Sequence, residues 1–469
     1  MLACACAPAA AANPVVGGDH PDPSILRTAG GWYATSTSDD WLPAFPLLRS
    51  ADLVHWRQVG SVLSKRPRWA KNDFWAPELV RRDGVVLAYY AALAKSGRRC
   101  VAVASARRVR GPYRDNGPVV CSLTGEIDPL PVTDEQGARW LVWKRDGNSR
   151  DRPTPILAAP LAPGGRSLAG APRELFRADL AWERDNVEAP ALLRHGGLFY
   201  LVYSAGHCCG RRCTYATGVA RAPSLLGPWE KRGGPILRGG GGLRCPGHAG
   251  TGRGAHGEPL LAFHAYVRGD PSNRQLFIAP LRFDVAGWPR LARRPDRVSR
   301  RFRGSVPPSG WQWPAGRRPR LAVRRDGLVL GRGTVARQTG TTAFSAGTTV
   351  PIMDRHARPG LAVSGSEGNA VGVELRGARA VAWTSVNGRR RVTGRIHLPP
   401  GRPVSGSGLI RLRVAAGARV TTAIRVRGRW RAVGRPQPPP RWASGARLAL
   451  TVRAHGRTAR FGTPLIRPR

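Results

Sequence analysis

A chain of 469 residues with 75 basic and 29 acidic side chains, a formal charge of +46, exceeds one ordinary domain and has room for two or three cores. Its 58 glycines and 42 prolines suit short strands joined by tight turns, so the expected fold class is all-β. Only five of the basic residues are lysines, and from residue 301 onward 33 arginines face four acids. The arginines are spread along the chain rather than gathered into one block, which a codon bias toward arginine explains without a specific nucleic-acid partner. Nonspecific adhesion to polyanions at low salt is the expected consequence of that charge.

The opening MLACACAPAAAANP, small-residue-rich and without a charged start, reads as the tail end of an export signal or a disordered N-terminus over residues 1–12, with Cys4 or Cys6 as candidate lipid-bearing cysteines. No run of 18 apolar residues follows, so no transmembrane segment is expected, and the chain reads as secreted or lipid-anchored outside the cytoplasm. Six further cysteines form an even set, which in an exported protein favours disulfides. Cys100 and Cys121 form the expected pair, on neighbouring strands of one sheet. A zinc site in HCCGRRC, His207 to Cys213, is the weaker reading, because adjacent cysteines suit tetrahedral ligation poorly.

The first strand-like stretch, GDHPDPSILR, fixes Asp22 between two prolines. Alone this is the signature of a turn, but the pattern recurs. PDPSILRTAGGWYATSTS, APELVRRDGVVLAYYAAL, IDPLPVTDEQGARWLVWK and EAPALLRHGGLFYLVYSA each carry a proline, an apolar strand, a turn and a second strand. GHAGTGRGAHGEPLLAFHA fits more loosely, without the proline. Pro23, Pro77, Pro129 and Pro190 are 54, 52 and 61 residues apart, and Ala249 lies 59 further on. Periods near 50 point to a propeller with one four-stranded blade per repeat, here five blades. At or next to each leading position stand Asp22, Glu78, Asp128, Glu188 and His248, so titratable groups should converge on one end of one channel. Buried carboxylates are costly unless paired or used, which makes a catalytic centre the sharper reading and a noncatalytic carbohydrate-binding propeller the alternative.

NPVVGGDHPDPSILR, FWAPEL, IDPL, VEAPAL, PGHAG and NRQLFIAP resemble, in order and spacing, the blade motifs of glycoside hydrolase family 43, the five-bladed arabinofuranosidases, arabinanases and β-xylosidases. The other five-bladed group, of invertase and levansucrase type, normally carries Asn-Asp-Pro where this chain has Pro-Asp-Pro-Ser. SGWQWPAGRRPRLAV and ARPGLAVSGSEGNAVGVEL resemble the concanavalin-like β-sandwich that follows many β-xylosidases of that family. The domains expected are a propeller over 13–297, a linker over 298–310 and a sandwich over 311–469, with GRPQPPPRW as an exposed loop.

The resemblance implies an inverting glycosidase acting on pentose-containing polysaccharide or oligosaccharide and releasing arabinose or xylose, with endo-arabinanase action as the alternative. It assigns Asp22 as general base, Glu188 as general acid and Asp128 as the acid that tunes and orients Glu188. The apolar neighbourhood AWERDNVEAPALL is expected to raise the Glu188 pKa. Trp75, His248 and Arg274 resemble substrate-contacting residues, and Glu78 has no chemical role in the resemblance. No cofactor is required; a structural calcium ion in the channel is compatible with the family.

Overall fold

The computed structural model describes residues 14–148, 152, 154–210, 212–292, 310–316, 318–325, 327–366, 368–398, 409–426, 428–440 and 445–468. The export-signal and lipid-anchor readings, and all but the last residue of the expected linker, lie outside the described residues. Among the described residues no helix is long and apolar enough to cross a membrane.

The described chain divides into two compact units, one of residues 1–39 and 43–308, the other of 40–42 and 309–469. The first contains five four-stranded antiparallel sheets in chain order, spanning residues 24–63, 70–121, 126–176, 187–231 and 243–291. These are the five blades. Their first strands are Ser24–Thr28, Ala70–Arg82, Glu126–Thr133, Val187–His195 and Leu243–Arg253. The second strands carry the apolar mass: Val85–Ala94 is buried along almost its whole length, as a strand covered on both faces must be. Apolar clusters fill the seams between blades, such as Leu130, Val142 and Ile156 with Val187, Phe199 and Leu201. The ring closes through the N-terminal segment. Val16 bridges Leu276, His20 N–H donates to Arg274 O at 2.8 Å, and Arg274 N–H donates to Asp19 Oδ1 at 2.9 Å.

Each first strand is interrupted, or in the first blade preceded, at the same place. Asp22, Ala76, Asp128, Ala189 and His248 all have left-handed φ, between 44° and 56°. Four of them precede a proline and the fifth precedes Ala249. In blades two to five the strand register shifts across this position, the mark of a bulge. A left-handed non-glycine residue costs roughly 1–3 kcal/mol and persists only if its surroundings hold it. A proline here costs no ladder bond, because the bulge has already interrupted the ladder.

What holds the bulges is a side-chain acceptor from the preceding blade, seen at four of the five. Ala76 N–H donates to Thr37 Oγ1 at 2.7 Å, Ala189 N–H to Asp128 Oδ2 at 2.9 Å and His248 N–H to Ser204 Oγ at 2.8 Å. Asp22 N–H donates to Nδ1 of His264, in the last blade, at 3.1 Å. Close packing accounts for two glycines of the fifth repeat: a Cβ on Gly247 would lie 2.3 Å from the Tyr215 ring, and one on Gly250 would lie 2.6 Å from Pro23 O.

The second unit contains a six-stranded and a five-stranded antiparallel sheet, with a smaller three-stranded sheet. Alternation is clear in Leu409–Ala416, where Ile410, Leu412 and Val414 are buried between less buried neighbours. This is the sandwich-like unit the sequence pattern implied. Residues 40–42 depart from the expected boundary. Trp41–Leu42 pairs with Trp313–Pro314, and Trp41 packs with Ala336, Ala362, Trp383 and Ala449, so the tripeptide belongs to the second core. Of GRPQPPPRW, the described part is irregular and bridged at one point, Val420 to Gln437.

Thr37 joins two first strands, donating to Asp22 Oδ2 at 2.6 Å while accepting from Ala76 N–H. We expect Thr37→Val, which keeps the shape and orphans both partners, to cost about 1–3 kcal/mol in chemical denaturation. Unchanged stability would show that the bulges are not held by these bonds.

Candidate active site

The left-handed positions place Asp22, Asp128 and His248 at one small cavity, whose lining also includes Glu78. Glu188 stands one residue before its left-handed position, and Glu78 two residues after. The repeat therefore delivers Asp22, Glu78, Asp128 and His248 to the cavity, with Glu188 beside Asp128, through three different offsets. Asp128 Oδ2 accepts the N–H of Ala189, the residue next to Glu188, which ties the third and fourth first strands together at the acids.

Asp22 is the most heavily supported carboxylate. Oδ1 lies 3.2 Å from His248 Nδ1 and 3.8 Å from Arg274 Nη1, and Oδ2 receives the Thr37 hydroxyl. Burial alone would raise its pKa. His248 and the Arg274 guanidinium beside it outweigh burial and hold the carboxyl well below the usual range, so it is ionised. His264 is buried completely, and burial pushes it down to about 4. It is therefore neutral, with Nδ1 accepting the Asp22 N–H, and its buried Nε2 has no hydrogen-bond partner among the described residues.

Glu188 departs from the sequence expectation. Its chain neighbours Val187, Ala189 and Pro190 are apolar, yet Lys144 Nζ donates to Glu188 Oε2 at 2.6 Å. Burial would raise the Glu188 pKa, but the Lys144 charge and hydrogen bond outweigh it and lower it. Lys144, itself 1% exposed, stays protonated: burial opposes its charge, but Glu188, Asp128 and Asp146 favour it. The Tyr215 hydroxyl is close enough to favour the Glu188 anion but makes no well-formed hydrogen bond. The raised carboxyl is instead Asp128, brought to about 6 by burial, with Glu188 and Asp22 adding to the rise against His248 and Lys144. Asp128 and Glu188 interact, so they titrate as a pair, and that pair takes up a proton as the pH falls through about 6. Glu78 is pushed by burial to about 8, opposed only by a bond from Ser24.

Trp75 and Arg274 lie on a path of alternating charge that runs from Asp22 to Glu188. Arg274 Nη2 is 4.0 Å from Asp39 Oδ2, and Trp75 Nε1–H donates to Asp39 Oδ1 at 2.8 Å. The Arg99 guanidinium lies 4.6 Å from the Trp75 ring centroid and pairs with Asp73 and Asp146, each at 3.1 Å. Asp146 in turn is 3.9 Å from Lys144 Nζ. Every sequence-predicted site residue thus stands in this neighbourhood. Lys144, His264, Thr37 and Tyr215 were not anticipated from the sequence.

Among the described residues no three His, Cys, Asp or Glu side chains form a metal-ligand group. The cysteines of HCCGRRC are oxidised: Cys208 bonds Cys209 and Cys213 bonds Cys245, while Cys100 bonds Cys121 as expected. The zinc reading is thereby excluded.

The model of glycosyl hydrolases family 43 matches residues 11–289. The chain belongs to that family. It is 28% identical over 303 residues, 58% of this chain and 86% of the relative, to the extracellular exo-α-(1→5)-L-arabinofuranosidase ArbA of Cellvibrio japonicus. It is 27% identical over 290 residues, 57% of this chain and 86% of the relative, to the extracellular endo-α-(1→5)-L-arabinanase 1 of Bacillus subtilis. The solved xylan β-1,4-xylosidase of Bacillus halodurans C-125 matches in fold with a TM-score of 0.77 at 20% identity, covering 97% of this chain and 100% of that one. The family 43 chain described here is therefore a glycoside hydrolase, and the noncatalytic alternative falls.

Removing the Lys144 charge favours the protonated form of the acid pair. We expect the alkaline limb of kcat/KM, which reports the free enzyme, near pH 6 in the wild type. In Lys144→Met it should move upward by roughly one pH unit or more. An unmoved limb would show that Lys144 does not set the pair's protonation.

Proposed function

We propose that the enzyme is an inverting glycosidase releasing arabinose or xylose from the ends of pentose-containing plant polysaccharides and oligosaccharides. One observation carries the reading: Asp22 and Asp128, at the left-handed positions of two repeats, line one cavity with Glu188 beside Asp128, Asp22 is ionised, and the Asp128 and Glu188 pair is able to hold a proton. Inversion needs that division of labour, a base to take a proton from water on one face of the sugar and an acid to give one to the leaving oxygen on the other.

Asp22 is the general base, and its contacts to His248, Arg274 and Thr37 fix the carboxylate that orients the attacking water. Glu188 is the general acid. The proton that the pair takes up rests on Asp128 in the free enzyme and passes to Glu188 for delivery to the leaving oxygen, and Asp128 positions Glu188 through the Ala189 bond. After cleavage, Lys144 stabilises the Glu188 anion left behind. Trp75, held by Asp39 and flanked by Arg99, offers an apolar face to the sugar ring, and Arg274 and His248 reach its hydroxyls. Glu78, protonated near neutrality, has a structural role.

The substrate class draws on the pentosidase relatives, and export draws on two relatives that are extracellular. The enzyme needs no cofactor in this reading, and its arginine excess gives it nonspecific adhesion to acidic wall polymers.

Product release from arabinan, arabinoxylan and xylo-oligosaccharides tests the reading. Single pentose units as first products support it, whereas internal cleavage of arabinan would support endo action. Asp22→Asn and Glu188→Gln should each lose about 10²- to 10⁴-fold in kcat. Near-wild-type turnover in either variant would overturn its assigned role.

A further inference from the structure

Cys208 and Cys209 are adjacent in sequence and bonded to each other. A disulfide stabilises chiefly by closing a loop of intervening residues, and this one closes none. The anchoring of its segment is done by other bonds. Cys213–Cys245 spans 32 residues to the first strand of the fifth blade, Arg244 Nη1 donates to Gly210 O at 2.8 Å, and His207 N–H donates to Thr214 Oγ1 at 3.1 Å. The vicinal pair is thus an addition to a segment already held in place.

Its position is at the site. Arg274 Nη1, the group 3.8 Å from Asp22 Oδ1, also lies 3.8 Å from Cys209 Sγ. Cys209 is exposed, while Cys208 packs inward against the cluster of Tyr215, Cys245 and Tyr266. Tyr215 is also the residue whose hydroxyl faces Glu188. Cys209 thus neighbours the arginine beside Asp22, and Cys208 packs on the cluster that contains the tyrosine facing Glu188. A rigid pair of polarizable, weakly solvated sulfur atoms is suited to the apolar C–H face of a sugar ring.

We propose that the Cys208–Cys209 disulfide is a binding surface of the site, a hard apolar platform against which the terminal pentose ring packs beside Arg274. It rests on the glycosidase reading above. A merely structural bridge would cost stability when removed; a platform costs substrate affinity.

The test compares Cys208→Ser/Cys209→Ser with Cys208→Val/Cys209→Val, leaving Cys213–Cys245 intact. On an aryl pentoside the serine pair should raise KM about tenfold with kcat within about threefold and the thermal midpoint unchanged, and the valine pair should recover most of the loss. Unchanged KM in the serine pair overturns the proposal, as does a fall in thermal midpoint that accompanies the loss in both variants. Calorimetric binding of arabinose and xylose to wild type and variants separates this from the functional reading. Pentose binding weakened by the serine pair supports the platform even if the wild type turns over neither pentoside. Equal binding rejects the platform even if turnover is normal.

Discussion

The centre of the propeller depends on a backbone N–H that has lost its ladder partner and found a side chain in the preceding blade. Left-handed residues at one position of all five first strands would be five local strains, of order 1–3 kcal/mol each, in an unbraced sheet. Thr37, Asp128, Ser204 and His264 convert four of them into seams. The device serves two ends. It turns side chains of the first strands into the cavity, and it makes each blade's catalytic geometry contingent on its neighbour. Asp128 is the case where the brace is itself one of the acids, so its position is fixed by the blade that supplies Glu188.

Electrostatics then separates three chemically similar carboxyls. Asp22 is surrounded by His248, Arg274 and a hydroxyl donor and is ionised. Glu188 is held down by one buried ammonium, and Asp128, without a cation in direct contact, takes the proton. The cations do not act singly. Arg274, Arg99 and Lys144 alternate with Asp39, Asp73 and Asp146, so each positive group near the acids is itself counterbalanced and fixed.

The blades were legible because the bulge leaves a sequence trace: a proline tolerated where no ladder bond is made, with an acid or histidine within two residues of it. The sandwich-like unit was legible from its alternation of strands and turns. What escaped depends on contacts distant in sequence. Residues 40–42 read as part of the first repeat, and only pairing with Trp313–Pro314 assigns them to the second core. The ionisation of Glu188 was misjudged from its chain neighbours, because the group that decides it, Lys144, lies 44 positions away on the second strand of another blade. His264 and Thr37 have no motif of their own, since their role is to meet another blade's backbone.

Lys144 nevertheless had a signal in the composition. In a chain with 70 arginines, a buried position that remains lysine asks for something arginine does not supply. Three of the five lysines, Lys65, Lys71 and Lys95, are exposed and say nothing. The other two are nearly buried, and each spends its compact ammonium on several short contacts. Lys144 Nζ meets Glu188 and Asn148 at 2.6 and 3.1 Å, with Asp146 further off, and Lys231 Nζ meets Arg177 O, Asp179 and Glu183 at 2.6 to 2.9 Å. A planar guanidinium directs its donors in a fork and occupies more room, so it cannot place three contacts around one nitrogen. The bias that makes the rest of the chain arginine-rich thus stops where the geometry requires a point charge, and one of those two places is beside Glu188.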